Sequence, residues 1–163
     1  KTFCCIASCG FDSDTNRMAN EATGNSSLVY FGAALKALKA WTPAKFTVSV
    51  DGNERSFTGF SVVVANSKAY GGGMLIAPDA DPTDGTLDVV TIGASSKLSF
   101  LMRLPSVFRG THVKSPAVTV ARGKRVEVSA DRPFTVFADG DPLCELPAVI
   151  EVLQGAVRVL FPE

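Results

Sequence analysis

The sequence is poor in several things that would each have pointed to a function. It has one histidine and one tryptophan, and no excess of either charge, with sixteen Lys and Arg against sixteen Asp and Glu. Without a basic run or stripe, a nucleic-acid partner has no support. No apolar stretch approaches the roughly 18 residues of a membrane span. No C-x-x-C pair occurs. Cys4, Cys5 and Cys9 crowd the start as C-C-x-x-x-C, and Cys144 and His112 lie far from them. Adjacent cysteines on a strand face opposite sides, so a zinc site is not expected. Buried free thiols in a reducing cytosol are the simpler account. The glycines of Tyr70-Gly71-Gly72-Gly73-Met74 are followed by no Gly-Lys-Ser/Thr and lack the G-x-G-x-x-G spacing, which leaves out a P-loop and a dinucleotide fingerprint. The chain opens on Lys1-Thr2-Phe3 with no signal-peptide pattern, and reads as a piece of a longer protein.

What is present suits one domain over residues 1–163. Hydrophobic residues make up 46% and charged residues 20%, a globular balance. Phe3 to Ala7 reads as a buried strand, ended by Gly10-Phe11-Asp12. Leu28, Phe31, Leu35, Leu38 and Trp41 recur every three or four residues, one apolar helix face that stops at Pro43. From Ala44 the period changes to two. Asp51-Gly52-Asn53 is a hairpin signal, and the return strand ends in the solid apolar run Val62-Val63-Val64-Ala65, as in a strand covered on both faces. A strand at Leu87–Ile92 leads to a helix from Lys97 to Phe108, expected in two pieces because of Pro105. Its basic residues Lys97, Arg103 and Arg109 suit solvent or a membrane surface. After His112 the chain is nearly all strand. The expected fold is mainly β, an antiparallel β-sandwich with two helical insertions.

Two stretches carry carboxylates in patterns that suit chemistry. In Phe134-Thr135-Val136-Phe137-Ala138-Asp139-Gly140-Asp141-Pro142 an apolar strand runs into two acids one residue apart. Glycine and proline should end the strand there and hold both acids at its tip. The same residues also make an ordinary turn. The second stretch, Ile76 to Asp88, packs Asp79, Asp81, Asp84 and Asp88 around two prolines and a glycine. Such oxygens suit a hard cation, though the spacing is not that of a calcium loop, and a plain polar loop fits too.

Taken in order, these elements form a series: strand-x-x-Gly-Phe-Asp, helix, Gly-Gly-Gly turn, Ala-Pro…Asp-Gly-x-Leu-Asp, Gly-x-His-Val, strand-Asp-Gly-Asp-Pro. It resembles the C-terminal domain of the bacterial diacylglycerol kinase family, relatives of the sphingosine and ceramide kinases, over nearly all 163 residues. The resemblance implies a β-sandwich that follows an N-terminal nucleotide-binding domain with a Gly-Gly-Asp-Gly-Thr phosphate loop. That loop is absent here, because Pro82-Thr83 precede Asp84-Gly85-Thr86. By resemblance, Asp139 is the general base for a lipid hydroxyl. Asp141, where the family often has Glu, is a nucleotide or Mg²⁺ contact. Asp81, Asp84 and the carbonyl of Thr86 form a mainly structural Mg²⁺ site, and Asp12 contacts substrate. The implied activity is ATP- and Mg²⁺-dependent phosphorylation of a lipid alcohol, diacylglycerol by default, as a step of phospholipid metabolism. The chain alone would be inactive. The implied setting is cytoplasmic and peripheral to the membrane, with a homodimer through free sandwich edges possible. Two other readings stay open: a non-catalytic, metal-stabilised β-sandwich binding module, and a glycosidase using Asp84 and Asp139, for which little aromatic surface is available.

Overall fold

The computed structural model describes residues 1–11, 13–15, 38–69 and 73–158. Nine strands are present among them, all paired antiparallel: β1 (Ile6–Gly10), β2 (Ala44–Val50), β3 (Asn53–Ala65), β4 (Leu87–Gly93), β5 (Val118–Gly123), β6 (Arg125–Ala130), β7 (Thr135–Ala138), β8 (Asp141–Glu145) and β9 (Ala148–Glu151). One helix, α1 (Lys97–Val107), and a 3-10 turn (Thr111–Lys114) lie between β4 and β5.

The long strand β3 joins two layers. Its first half pairs with β2, and β6 and β9 follow outward. Its second half lies between β1 and β4, with β7 and β8 beyond β1 and β5 beyond β4. The change of layer falls at Gly59, where the register with β4 shifts. A Cβ there would stand 2.3 Å from the Ile92 carbonyl oxygen, so only glycine allows the close approach.

Alternation along β3 then explains both faces. Phe60, Val62 and Val64 point between the layers with Phe46, Val48, Val126, Val128 and Ile150. Val63 and Ala65 point the other way and are covered, with Ile6 and Val90, by Ile76, Ala77 and Ala80 of the acidic loop. The β-sandwich expected from the sequence is therefore present, and the apolar run in β3 is covered on both faces. Leu38 and Trp41 are buried as the helical spacing requires. The rest of that helical stretch, and Tyr70 to Gly72, lie outside the described residues.

Three local expectations are corrected. First, α1 continues through Pro105 as one helix, because the proline falls in its last turn, where a single backbone bond is lost. Second, Pro142 does not end the β structure. Asp139-Gly140 is a two-residue turn, and Asp141-Pro142 begin β8, which among the described residues pairs only with β7. As an edge strand it needs no N–H from the proline on its outer side. Third, all four cysteines are free, but only Cys9 is buried.

Candidate functional site

Asp139 and Gly140 have φ of 51° and 97°, both in the left-handed region. Two such residues joining paired strands make the tight hairpin whose twist matches β7 and β8. Aspartate tolerates this conformation better than most residues with a Cβ. The turn extends the β1–β7 ladder by one step, since the Asp139 N–H donates to the Ile6 carbonyl at 3.0 Å. The carboxylate then takes three amides in a row. The Cys4 N–H donates to Oδ2 at 2.7 Å, and the Cys5 and Ile6 N–H groups donate to Oδ1 at 3.0 and 2.9 Å. The Cys5 N–H also leans on Oδ2 at 3.3 Å. A carboxylate has about four acceptor positions, so three amide donors leave about one for an incoming hydroxyl. The side chain remains exposed, and the first strand of the chain is stapled to the hairpin through it. Asp141, directly across from Ala138, is exposed at the start of β8.

The acidic loop is built differently. Asp81 Oδ1 accepts the N–H and O–H of Thr83 at 2.8 and 2.6 Å, and Asp84 Oδ1 accepts those of Thr86 at 2.8 and 2.7 Å. The Thr83 bonds favour the charged form and lower the Asp81 pKa from its ordinary value. No three His, Cys, Asp or Glu side chains converge as a metal set among the described residues. Carboxylate oxygens of this kind do suit a hard cation. Arg122 Nη1 stands 4.0 Å from Asp84 Oδ2 and already brings positive charge to the loop.

Two residues outside the expected sites hold this loop. Asp88, 3% exposed, is gripped by Arg122 through Nε at 3.2 Å and through Nη2 at 2.9 and 3.1 Å to its two oxygens. Nη2 also donates to the Asp79 carbonyl, and Asp88 raises the guanidinium pKa above its ordinary value. The signal was legible: a carboxylate inside Leu87-Asp88-Val89-Val90 must find a cation when the strand is buried. On the other side, His112 is buried with Nε2 3.1 Å from the Ile76 carbonyl, and burial pushes its pKa below the ordinary 6.5. Nε2 therefore carries the proton of the neutral ring. A Cβ on Gly110 would press Pro78 at 2.9 Å, so the Gly-x-His-Val segment lies directly on the Ala-Pro bend.

The register relates the two acidic features. Asp88 is opposite Ala65, Ala65 is opposite Ile6, and Ile6 faces Asp139. They form one row across the same end of the sheet, three strand spacings or about 14 Å long. Arg122 lies on β5, one strand further out, and its Nη1 stands 4.0 Å from Asp84 Oδ2. Asp12 lies outside the described residues.

Over residues 5–161 the chain matches the family described as the YegS C-terminal NAD kinase beta sandwich-like domain, and it belongs to that family. It is similar to proteins named diacylglycerol kinase: 36% identical over 99% of this chain to one from Mycobacterium tuberculosis (strain H37Rv), and 24% identical over 83% to one from Bacillus subtilis (strain 168). It covers 53% and 45% of those two, so the chain spans about half the length of the curated relatives it matches. A solved diacylglycerol kinase structure from Bacillus anthracis superposes with a TM-score of 0.61 at 18% identity, over 94% of this chain and 47% of that one, a likeness of fold alone. The resemblance read from the sequence, to the C-terminal domain of diacylglycerol kinase-like lipid kinases, therefore stands.

Proposed function

We propose that this chain is the base-bearing C-terminal domain of an ATP- and Mg²⁺-dependent lipid kinase whose nucleotide-binding domain lies upstream, and that it acts on diacylglycerol to give phosphatidic acid. The observation that carries this is the Asp139 carboxylate: exposed, fixed by three amides, with about one acceptor position left. A lipid hydroxyl would donate to that position. Its oxygen forms the new bond to the γ-phosphorus, the bond from that phosphorus to the ADP oxygen breaks, and the hydroxyl proton passes to Asp139. A carboxylate is a weak base for an alcohol, so positioning and charge stabilisation supply most of the rate. Asp141 is assigned to the nucleotide side of the same cleft. Asp81, Asp84 and the Thr86 carbonyl would hold a Mg²⁺ that braces the loop, and Asp12 would meet the substrate.

The family match and the relatives' names support this reading. No helix among the described residues is long and apolar enough to cross a membrane, so the lipid is proposed to be met at the membrane surface. The test is ATP-dependent labelling of a lipid panel by the full-length protein and by its Asp139→Asn variant. Labelling of diacylglycerol that the substitution abolishes is expected. Undiminished labelling by the variant would remove the base assignment. One observation favours a second reading, a binding module without catalysis: Asp51-Gly52 forms nearly the same hairpin, with backbone amides on its carboxylate, away from the proposed cleft. No labelling of any lipid by a folded full-length protein would select it.

A further inference from the structure

Helix α1 is apolar on its outer side. Leu98 and Met102 are 70% and 74% exposed, and Phe108, just past the helix, is 54% exposed. With exposed Pro105 they follow helical spacing along one stripe. Phe100 and Leu101 pack inward, Phe100 stacking on Phe60 at 4.4 Å, and no residue of the helix is fully buried. An apolar stripe held out to solvent by a helix anchored through Phe100 and Leu101 needs an occupant.

The charge around it decides which. From Val89 to Val126 the chain has seven Lys and Arg and not one Asp or Glu, in a protein whose totals balance. Arg122 and Arg125 are neutralised by Asp88, Glu127 and Glu151. Lys97 donates to the Lys39 carbonyl and has no acidic partner among the described residues. Arg103, Arg109 and Lys114 have no acidic partner within salt-bridge distance among the described residues. Among the described residues the stripe is thus flanked in sequence by cations without an ion-pair partner, and Val89 to Val126 brings no carboxylate to it. That is the pattern of a surface that lies in a membrane interface, apolar side chains among the acyl chains and cations at anionic headgroups.

We infer that α1 and the segment through Lys114 dock this protein on anionic lipid bilayers. The inference deepens the lipid-kinase reading and rests on it for its purpose, since it brings the domain to where the substrate lies. The surface is coupled to the site by short steps. The Leu75 N–H donates to the Val107 carbonyl at 3.0 Å, Ile76 shares an apolar cluster with Ile6, and the Ile6 N–H donates to Asp139.

The experiment is sedimentation of the full-length protein with phosphatidylcholine vesicles, with and without phosphatidylglycerol. It compares wild type with an apolar variant (Leu98→Ser, Met102→Ser, Phe108→Ser) and a charge variant (Arg103→Gln, Arg109→Gln, Lys114→Gln). Each cation at the surface is worth about 1 kcal/mol, about fivefold, so the charge variant should bind anionic vesicles on the order of a hundredfold more weakly. The apolar variant should lose at least about tenfold. Both should keep wild-type melting temperature and wild-type labelling of detergent-dispersed diacylglycerol. Unchanged vesicle binding by both variants would overturn the docking assignment and leave the kinase reading untouched. Loss of stability, or of labelling on dispersed lipid, in the apolar variant would show the stripe packed against another part of the protein, and would also overturn it. Vesicle binding is read without catalysis, so a protein that docks through α1 yet labels no lipid would defeat the kinase reading alone.

Discussion

The two aspartate–glycine hairpins of this domain are close to copies of one another. Asp51 and Gly52 have φ of 49° and 84°, against 51° and 97° for Asp139 and Gly140. In each, the aspartate N–H donates to a carbonyl on the adjacent strand, Arg125 in one and Ile6 in the other. In each, the carboxylate accepts the N–H of that same residue and of the one before it. The differences are small and specific. Asp139 takes a third amide, from Cys4, and so ties down the first strand of the chain. It is followed by the exposed carboxylate of Asp141, where the first hairpin has Asn53. A carboxylate clamped by amides is therefore a structural device that this fold uses twice. Catalysis, if it is added to one of the two, comes from what surrounds that hairpin.

The comparison breaks most sharply by substitution of the two aspartates in the full-length protein. Asp139→Asn should lower lipid phosphorylation by about 10²–10⁴-fold, the usual worth of a general base, while Asp51→Asn should leave it within about twofold. Equal activity in both variants would make both hairpins structural. Truncation tests the shared device. Asp139→Ala removes the acceptor for three amides and should cost about 2 kcal/mol in denaturant unfolding. Asp51→Ala removes it for two and should cost about 1 kcal/mol. A smaller cost at Asp139 would mean that its amides are held by something else.

The glycines should behave alike. Neither Gly52 nor Gly140 would bring a Cβ within 4 Å of another atom, so Gly→Ala at each meets only the backbone penalty of positive φ, about 1 kcal/mol in a melting experiment. A larger loss at Gly140 would reveal a neighbour that packs on the proposed site. The smallest effect separates the hairpins from their surroundings by pH. His112 has a folded pKa lowered by burial, so below 6.5 the unfolded state binds more protons, and stability should fall as the pH drops from 6.5 through the folded value. The same decline should be absent in His112→Gln and present in Asp51→Asn and Asp139→Asn.

Much of the fold was legible because it rests on local periodicity. Alternation from Ala44 to Val50, the Asp-Gly turn and the two-faced apolar run of β3 each follow from the pleat, whatever the chain packs against. The candidate acids were legible as residue types at strand ends. Their partners were not, because those lie far along the chain. Nothing near Asp139 announces Cys4, Cys5 and Ile6, more than 130 positions away, and nothing near Asp88 announces Arg122, 34 positions on. The outward turn of Leu98 and Met102 was hidden for a related reason. An apolar stripe has the same period whether it faces a core or a membrane, and only the packing of Phe100 and Leu101 shows which side of α1 is inward.

The sequence by itself determined the β-sandwich, the family and the short list of acids, since these depend on patterns a few residues long and on their order. The tertiary structure alone decided that Asp139 and Asp88 lie in one row about 14 Å long across the sheet, because register sums over four paired strands. It alone decided that the acidic loop is pinned by an arginine and a buried histidine, and that Leu98 and Met102 of α1 face outward. Those are consequences of which distant residues meet, and pairing at a distance is set by the packing of the whole domain.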